Sequence, residues 1–585
     1  IHCNEIVLLA YYIADVNIEA VYHDLMKPDH YVNYDGICLT DTFQLAETKQ
    51  QSLSQEFFKE NSEGVLRQKK APIRVIIGNP PYSIGQKSAN DNAANMTYPV
   101  LDKRVSDTYA AKSSANLTKA LYDSYIKAFR WATDRIADNS DGGIVAFISN
   151  GSWLDGNAQD GFRACLESEF TDIYVLNLRG NQRTSGELSR KEGGKIFGGG
   201  SRTPITITIL VKNPAKNSKA ATIHYHDIGD YLTREQKLNF IKKFKSVHGR
   251  TLDWEVINPT EKHDWINQRD GIFDQLIPVA PEKKFKIDEQ SFFSTLSLGI
   301  ATNKDTFLYD FSKESLCNKI ESLISFYNSE RMKLALNANY ELQTDPTKIV
   351  WTDMFKNSAK KQEIFKLDYS RFVESCYRPF TKQNFIFQKD LIQRTYQQLR
   401  LFPTGITSNK LICVSGIGVT KDFSCIITDQ LPDLELIGKS QCFPLYWYEE
   451  RKDIQGSLFD TDESKDRYKR HDGITDWILK EVRKRFGNSK AITKEHIFYY
   501  VYGILHSPQY RERFAADLKK SLPRIPIVDN VEDFMAFYKA GKALADLHLN
   551  YEQVPPCPDV TPKLGMKKVN LFLINHVLFT MIILL

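Results

Sequence analysis

A turn of four residues, Asn79-Pro80-Pro81-Tyr82, follows the apolar stretch "IRVIIG" at 73–78. The two prolines fix their φ angles and remove two backbone donors, so the turn holds its carbonyls and the asparagine amide in one direction. An amide oxygen beside a backbone carbonyl forms a pair of acceptors that suits an exocyclic amino group. Fixed acceptors also stabilise the positive charge that develops on such a nitrogen when it attacks an electrophilic methyl group. The alternative is a rigid proline turn that only ends a strand.

Two aromatic residues could complete such a site. The ring of Tyr82 could stack on the base that carries the amine, and a base in a duplex must leave the helix to be reached. Phe197 lies in a glycine-rich stretch, "GGKIFGGGSR" at 193–202, and could stack on the opposite face of the base. A loop aromatic packed into the core is the alternative for Phe197.

The first 245 residues alternate predicted strands with predicted helices, which indicates an α/β domain with a mainly parallel sheet. Ligands bind beyond the carboxyl ends of the strands in such a sheet, and Asn79 lies at one of these ends. Because only a short turn separates the last two strands, they are predicted to form an antiparallel edge. The predicted helices are 5–23, 117–136 and about 158–168, and the predicted strands are 36–40, 73–78, 142–149, 172–178, 204–212 and 221–226.

The rest of the chain divides by composition into a connector at 246–285, a mixed region at 286–465 and a strongly helical region at 466–560. The stretch 366–400 interleaves basic residues with aromatics, a pattern that favours contact with DNA phosphates or base edges. A charged surface over an aromatic core is the alternative. The candidates for DNA contact are Arg371, Arg378, Lys382, Lys389 and Arg394.

Composition excludes several other classes of protein. A net charge of +5 over 585 residues is too small to indicate a nucleic-acid partner by itself. Nine scattered cysteines without a CxxC pair argue against a zinc site and favour reduced thiols in the cytoplasm. His224 and His226 share one face of a strand, and a structural role is favoured over metal binding. The apolar run Val569–Leu585 is at the short limit for a membrane span, so 561–585 is interpreted as an aberrant or disordered tail and no membrane association is expected.

The Asn-Pro-Pro-Tyr turn after an apolar strand resembles the catalytic motif of amino-methyltransferases that act on adenine N6 of DNA, and less often on cytosine N4. The resemblance implies that Asn79 and the Pro80 carbonyl bind the amine and that Tyr82 stacks on the flipped base. It also implies S-adenosylmethionine as the cofactor, beside Asn79. Glu5 would then bind the ribose of the cofactor and Asp41 its adenine amine, although each acid could equally be a cap or a solvated carboxylate.

Longer strings resemble type ISP restriction–modification enzymes, and this resemblance reaches about residue 560. It implies an N-terminally truncated, Rossmann-like methyltransferase core at 1–245, followed by a target-recognition domain with a helical part, in the gamma order of motifs. It further implies a bacterial cytoplasmic enzyme that acts on double-stranded DNA. The strings are "RGNQRTSGELSRKEGGKIFGGGSRTPITITILVKNP", "ESCYRPFTKQNFIF" and "FYYVYGILHSPQYRERFAADLKKSLPRIP".

The chain also departs from that family. A glycine-rich cofactor loop would precede Glu5, and the family's nuclease and ATP-driven translocase would lie on the same polypeptide; none of these is present in the sequence. We therefore expect the modification and specificity half of a longer enzyme. The open alternatives are a specificity module that binds DNA without catalysis, an N4-cytosine methyltransferase, and a methyltransferase of RNA or of protein glutamine.

Overall fold

The computed structural model divides the chain into two compact units, Ile1–Gln268 (unit 1) and Arg269–Leu585 (unit 2). The boundary lies inside the stretch 246–285 that the sequence predicts as a connector. The residues that the structure describes are 1–47, 59–81, 97–115, 117–137, 139–198, 201–216, 220–247, 249, 252–281, 290–404, 407–419, 421–451 and 467–555.

Unit 1 is built around a six-stranded sheet with the order β3-β4-β6-β5-β7-β8. Strand β3 is parallel to β4, and β5 is parallel to β7, whereas β6 is antiparallel to both of its neighbours, β4 and β5. Strand β8 closes the far edge, antiparallel to β7. The strands are β3 (Val75–Gly78), β4 (Gly143–Asn150), β5 (Asp172–Asn177), β6 (Ile205–Lys212), β7 (Thr222–Asp227) and β8 (Glu255–Ile257).

The predicted antiparallel pairing of 204–212 with 221–226 is wrong. Strand β6 inserts between β4 and β5, and the following turn carries the chain across β5 to its other side, where β7 pairs with β5. Insertion gives β6 hydrogen-bonded neighbours along both edges, β4 on one side and β5 on the other, and leaves the second edge of β5 to β7. The rule that a short turn joins antiparallel neighbours is local and does not foresee this long-range pairing.

A separate parallel pair of strands, β1 (Cys3–Glu5) and β2 (Ile37–Leu39), lies at the start of unit 1. The helix predicted at 5–23 is α1 (Leu8–Met26), which begins after this strand. None of the residues of α1 is buried, and Leu9 and Val16 remain 70% and 63% exposed.

Six further helices lie in the described part of unit 1, five around the sheet and one, α2 (Lys59–Lys70), against β2. The helix predicted at 117–136 is α4, which begins at Ser124 after a short 3-10 turn. It buries Phe129 against the rings of Phe147 and Phe162, with centroids 5.0 and 5.3 Å away. The helices after α1 are α2 (Lys59–Lys70), α3 (Pro99–Val105), α4 (Ser124–Ala137), α5 (Asp160–Glu169), α6 (Gly186–Glu192) and α7 (Arg234–Phe244).

Unit 2 contains two four-stranded sheets, ordered β10-β17-β14-β15 and β11-β13-β12-β16, and two two-stranded pairs, β18-β19 and β20-β9. Part of the predicted connector, β9, pairs with β20 and so belongs to this unit. The strands are β9 (Ile277–Pro278), β10 (Ser297–Leu298), β11 (Tyr309–Asp310), β12 (Phe372–Arg378), β13 (Thr381–Ile386), β14 (Leu411–Val414), β15 (Cys425–Thr428), β16 (Leu431–Pro432), β17 (Gln441–Pro444), β18 (Tyr446–Glu450), β19 (Tyr468–Asp472) and β20 (Arg524–Ile525).

The helices predicted from sequence in the last third of the chain are present in unit 2. The run 494–513 is divided at Ser507 into two helices, because Pro508 cannot continue the backbone hydrogen bonding. The helices are α8 (Asp305–Leu308), α9 (Lys313–Leu336), α10 (Asp353–Lys360), α11 (Gln398–Leu401), α12 (Asp476–Arg485), α13 (Lys494–His506), α14 (Pro508–Arg513), α15 (Ala515–Lys520) and α16 (Val531–Leu549).

Helices α13 and α16 pack backbone to backbone at a pair of glycines. A Cβ on Gly503 would lie 2.4 Å from the carbonyl oxygen of Phe537, and one on Gly541 would lie 2.1 Å from that of Tyr499. Only glycine permits this approach, which buries the aromatic residues of α13 in the main core of the unit. The predicted apolar tail at 561–585 lies outside the described residues, and no helix within them is long and apolar enough to cross a bilayer.

We expect Gly541→Ala to destabilise unit 2 by about 1–3 kcal/mol, the usual penalty for overpacking a core. The added methyl group clashes with the carbonyl of Tyr499, which outweighs the gain of about 1 kcal/mol in helix propensity. The free energy of unfolding is measured by urea titration, with hydrogen exchange in peptides of unit 2 as the signal. Gly271→Ala is the matched control, because a Cβ there meets nothing within 4 Å. An unchanged stability of Gly541→Ala would contradict the proposed close packing.

Candidate functional site

The loops that carry Asn79 and Phe197 emerge at the same edge of the six-stranded sheet. Asn79 follows the carboxyl end of β3, which runs parallel to β4. Because β6 is antiparallel, its first residue, Ile205, pairs with Asn150 at the carboxyl end of β4. The segment between β5 and β6, which contains Phe197, therefore lies beyond this edge as well. Two strand spacings, about 10 Å, separate β3 from β6.

The turn at Asn79 is accessible. Asn79 and Pro81 are exposed and Pro80 is partly exposed. Within the described part of the chain the Asn79 side chain has no hydrogen-bond partner. Tyr82, the last residue of the motif, lies outside the described residues.

Glu5 and Asp41 stand at the ends of the neighbouring parallel strands β1 and β2. One oxygen of Glu5, Oε1, accepts hydrogen bonds from the amides of Ile6 and Val7, at 2.8 and 2.9 Å. The other oxygen has no partner among the described residues. The backbone oxygen of Glu5 accepts from the amide of Thr40 at 2.9 Å, which fixes the spacing of the two strand ends.

Asp41 is held by two donors. Its Oδ1 accepts from the amide of Phe43 at 2.9 Å, and its Oδ2 accepts from the hydroxyl of Tyr98 at 2.6 Å. Burial raises the pKa of the Tyr98 phenol, and the bond to Asp41 raises it further, so the phenol stays protonated and donates. Sequence reasoning missed Tyr98, because it lies in a polar stretch with no periodic pattern to mark it.

Phe197 is partly buried and packs against a small apolar cluster of unit 1. The cluster is Leu176, Leu178, Ile196, Ile205 and Ile228.

The two histidines of β7 are engaged by aromatic rings. His224 stacks on Tyr174 with a centroid distance of 4.4 Å, and His226 stacks on Phe240 at 5.6 Å. Within the described residues, no three side chains of His, Cys, Asp or Glu are grouped so that they could hold a metal ion.

Arg378, a predicted DNA contact, is bound inside unit 2. Its Nη1 donates to Asp433 at 2.7 Å and its Nη2 to Asp305 at 3.5 Å, while the guanidinium lies 3.8 Å from the centroid of the Tyr377 ring. Asp433 is only 2% exposed and also accepts from the hydroxyl of Tyr309 at 3.2 Å. The guanidinium of Arg378 therefore compensates a buried carboxylate.

The other four predicted DNA contacts differ in their availability. Arg371 pairs with Asp368 at 3.2 Å, and Lys382 pairs with Glu552 at 3.4 Å. Lys389 and Arg394 are exposed, and neither side chain has a partner in the part of the chain that the structure describes. The backbone of Arg394 is fixed by a bridge to Ala301. The structure thus leaves two of the five side chains unpaired.

Comparison with known proteins identifies the class of the second unit. Residues 291–570 match the family model of the Type ISP C-terminal specificity domain. No curated protein matches the chain.

Three solved structures resemble nearly the whole chain. A nuclease-deletion mutant of the Type ISP restriction-modification enzyme LlaGI, in complex with a DNA substrate mimic, is 38% identical over 97% of this chain, with a TM-score of 0.78. The ATP-dependent Type ISP restriction-modification enzyme LlaBIII, bound to DNA, is 38% identical over 97%, with a TM-score of 0.81. A DrdV–DNA complex is 33% identical over 97%, with a TM-score of 0.78. The chain spans 43%, 37% and 53% of their respective lengths.

The buried carboxyl of Asp433 predicts a pH dependence of stability. Burial raises its pKa to about 6, and the nearby charge of Asp305 adds to this while Arg378 opposes it. The folded state then holds a proton that the unfolded state has released, so this group lowers stability as the pH rises from about 4 to about 6. We expect its share of the loss to be about 2–3 kcal/mol.

Urea unfolding at several pH values, read by hydrogen exchange at peptides of unit 2, tests this expectation. In Asp433→Asn the share of the loss that comes from this group between pH 4 and pH 6 should disappear. Asp529→Asn, at a side chain that is 96% exposed, should keep the wild-type slope. Equal slopes in all three proteins would show that Asp433 does not titrate in this range.

Proposed function

We propose that this chain is the modification and specificity part of a Type ISP restriction–modification enzyme, and that it transfers a methyl group to the N6 amine of a flipped adenine in duplex DNA. The observation that supports this most is the position of Asn79, which is exposed and stands at the sheet edge shared with the Phe197 loop. The likeness to LlaGI and LlaBIII along nearly the whole chain supports the choice of family.

The chemistry assigned to unit 1 needs two fixed acceptors. The side-chain oxygen of Asn79 and the carbonyl oxygen of Pro80 would accept the two hydrogens of the amine and stabilise the positive charge that grows on the nitrogen during transfer. The rings of Tyr82 and Phe197 would hold the extruded base between them. N4 of cytosine presents the same kind of amine and is the alternative acceptor.

S-adenosylmethionine would supply the methyl group as a sulfonium electrophile. The described residues fit such a ligand: the free carboxylate oxygen of Glu5 can accept from a ribose hydroxyl. Both oxygens of Asp41 already accept one hydrogen bond, but each carboxylate oxygen has a second lone pair for an adenine amine. Tyr98 would keep the carboxylate of Asp41 in a fixed orientation.

Unit 2 would recognise the target sequence. Of the five candidates, Lys389 and Arg394 are best suited to phosphates or base edges, because both are exposed and neither side chain has a partner within the described residues. Arg378 instead supports the fold of the recognition domain. We further propose that a nuclease and an ATP-driven translocase lie elsewhere on a longer polypeptide in a bacterial cytoplasm. The similarity to LlaGI, studied as a nuclease-deletion mutant, and to the ATP-dependent LlaBIII supports the presence of these further parts.

We expect Asn79→Ala to lower methyl transfer to DNA by at least a hundredfold, because it removes one of the two acceptors that stabilise the transition state. The measurement is incorporation of tritiated methyl groups into unmethylated phage DNA. The affinity for DNA, from fluorescence anisotropy, should stay within twofold. Asn17→Ala, at an exposed asparagine of α1, is the control and should keep wild-type activity.

Full activity of Asn79→Ala would reject the catalytic assignment. A wild-type chain that binds DNA but transfers no methyl group would favour the alternative of a specificity module without catalysis.

We expect Lys389→Ala and Arg394→Ala each to weaken DNA binding severalfold. If each contacts a phosphate, the slope of log affinity against log salt should fall by about 0.9 per side chain removed. Anisotropy titrations between 50 and 200 mM salt, roughly the range over which such effects are large, measure both quantities. Lys348→Ala is the matched control, since this exposed lysine already pairs with Asp345 at 3.5 Å. Wild-type affinity and slope in both test variants would place the DNA surface elsewhere.

A further inference from the structure

The segment Glu192–Phe197 is fastened to the start of α7 by two basic side chains. Lys237 has no exposed surface, and its Nζ donates to the carbonyl oxygen of Glu192 at 2.7 Å. Arg234 donates from Nε to the carbonyl oxygen of Ile196 at 2.8 Å. The two bonds meet the backbone at both ends of the segment, and the second lies directly before Phe197.

Two glycines allow the segment to lie against the backbone before α7. Gly193 has a φ of +67°, and a Cβ on it would lie 2.2 Å from the carbonyl oxygen of Leu232. A Cβ on Gly194 would lie 2.5 Å from the amide nitrogen of Arg234. The amide of Gly194 donates to Leu232 at 2.9 Å, so the contact is a hydrogen bond as well as a close approach.

The loop after β5 holds the other side of the segment. The amide of Gly180 donates to the same carbonyl of Glu192 that Lys237 contacts, at 3.1 Å. The Glu192 side chain accepts from the amide of Asn181 at 2.9 Å, and the Gln182 side chain donates to the carbonyl of Gly193 at 3.0 Å. The carbonyl of Glu192 is therefore the point where both supports meet.

A buried lysine is a costly way to satisfy one carbonyl, because the ammonium loses its hydration. Burial lowers the pKa of Lys237 to about 8, with Arg179 acting in the same direction while Glu192 and Asp227 oppose it. The side chain is thus still charged at neutral pH, and a charge-assisted bond is stronger than a neutral one. Such a bond helps to fix the backbone position of the segment.

We propose that Lys237 and Arg234 are positioning residues that hold the Phe197 loop at the sheet edge where the flipped base stacks. The stacking of the base on Phe197 rests on the function proposed above. The fixing of the loop by Lys237 and Arg234 does not depend on that function. Neither residue touches the base; both act through the backbone that carries Phe197.

Two variants of the chain test the proposal. Lys237→Met removes the charged donor and keeps the length of the side chain, and Arg234→Gln alters an exposed residue whose loss leaves the core intact. Hydrogen exchange in peptides covering 192–198 should become at least tenfold faster in both, with no change in peptides of unit 2. Lys237→Arg should restore part of the protection.

Methyl transfer to unmethylated phage DNA gives the second measurement. A misplaced Phe197 should lower kcat about tenfold and leave KM for DNA within twofold, since unit 2 would still bind. Unchanged exchange at 192–198 in Arg234→Gln and Lys237→Met overturns the proposal. Faster exchange with kcat unchanged overturns the link to base stacking. A wild-type chain that transfers no methyl group rejects the proposed function, while the exchange data still decide whether the two side chains hold the loop.

Discussion

The insertion of β6 between β4 and β5 is the constraint on which the candidate site depends. Because β6 is antiparallel to both neighbours, its first residue, Ile205, lies at the edge where β3, β4 and β5 end. The chain entering β6 must therefore cross that edge, and it carries Phe197 with it. In an outer hairpin of β6 and β7, β6 would lie at least one strand farther from β3 than the two strand spacings of the observed sheet.

Local patterns in the sequence predict the elements well, and their long-range arrangement poorly. The six strands predicted in unit 1 follow from runs of apolar residues, and the structure has each within two residues of its predicted bounds, although it adds β1 and β8. The region predicted to be strongly helical at 466–560 contains five helices of unit 2. The position of β6 depends on which strand edges are still unpaired when the chain has collapsed. A local stretch of sequence carries no information about this. The same limit applies to Tyr98, whose bond to Asp41 joins residues far apart in the chain.

Residue type alone also gives no reliable guide to which basic residues are available to DNA. Arg378 and Arg394 look equivalent in the sequence, but the first is bound to two carboxylates, whereas the side chain of the second is exposed and has no partner among the described residues. The difference comes from Asp433, whose burial would be too costly without a cation beside it. An arginine that pairs with a buried carboxylate is therefore not available to contact DNA. Only the three-dimensional structure shows which arginine this is.

Glycine pairs perform one physical task in both units. In unit 2, Gly503 and Gly541 let two helices meet backbone to backbone, and in unit 1, Gly193 and Gly194 do the same for a loop and the start of α7. In both places the missing Cβ replaces side-chain packing by contacts whose geometry hardly varies, since backbone atoms have no rotamers to change. For a core this gives stability. For the loop that carries Phe197 it fixes the position of the backbone, and the buried ammonium group of Lys237, which bonds to the same backbone, adds to this constraint.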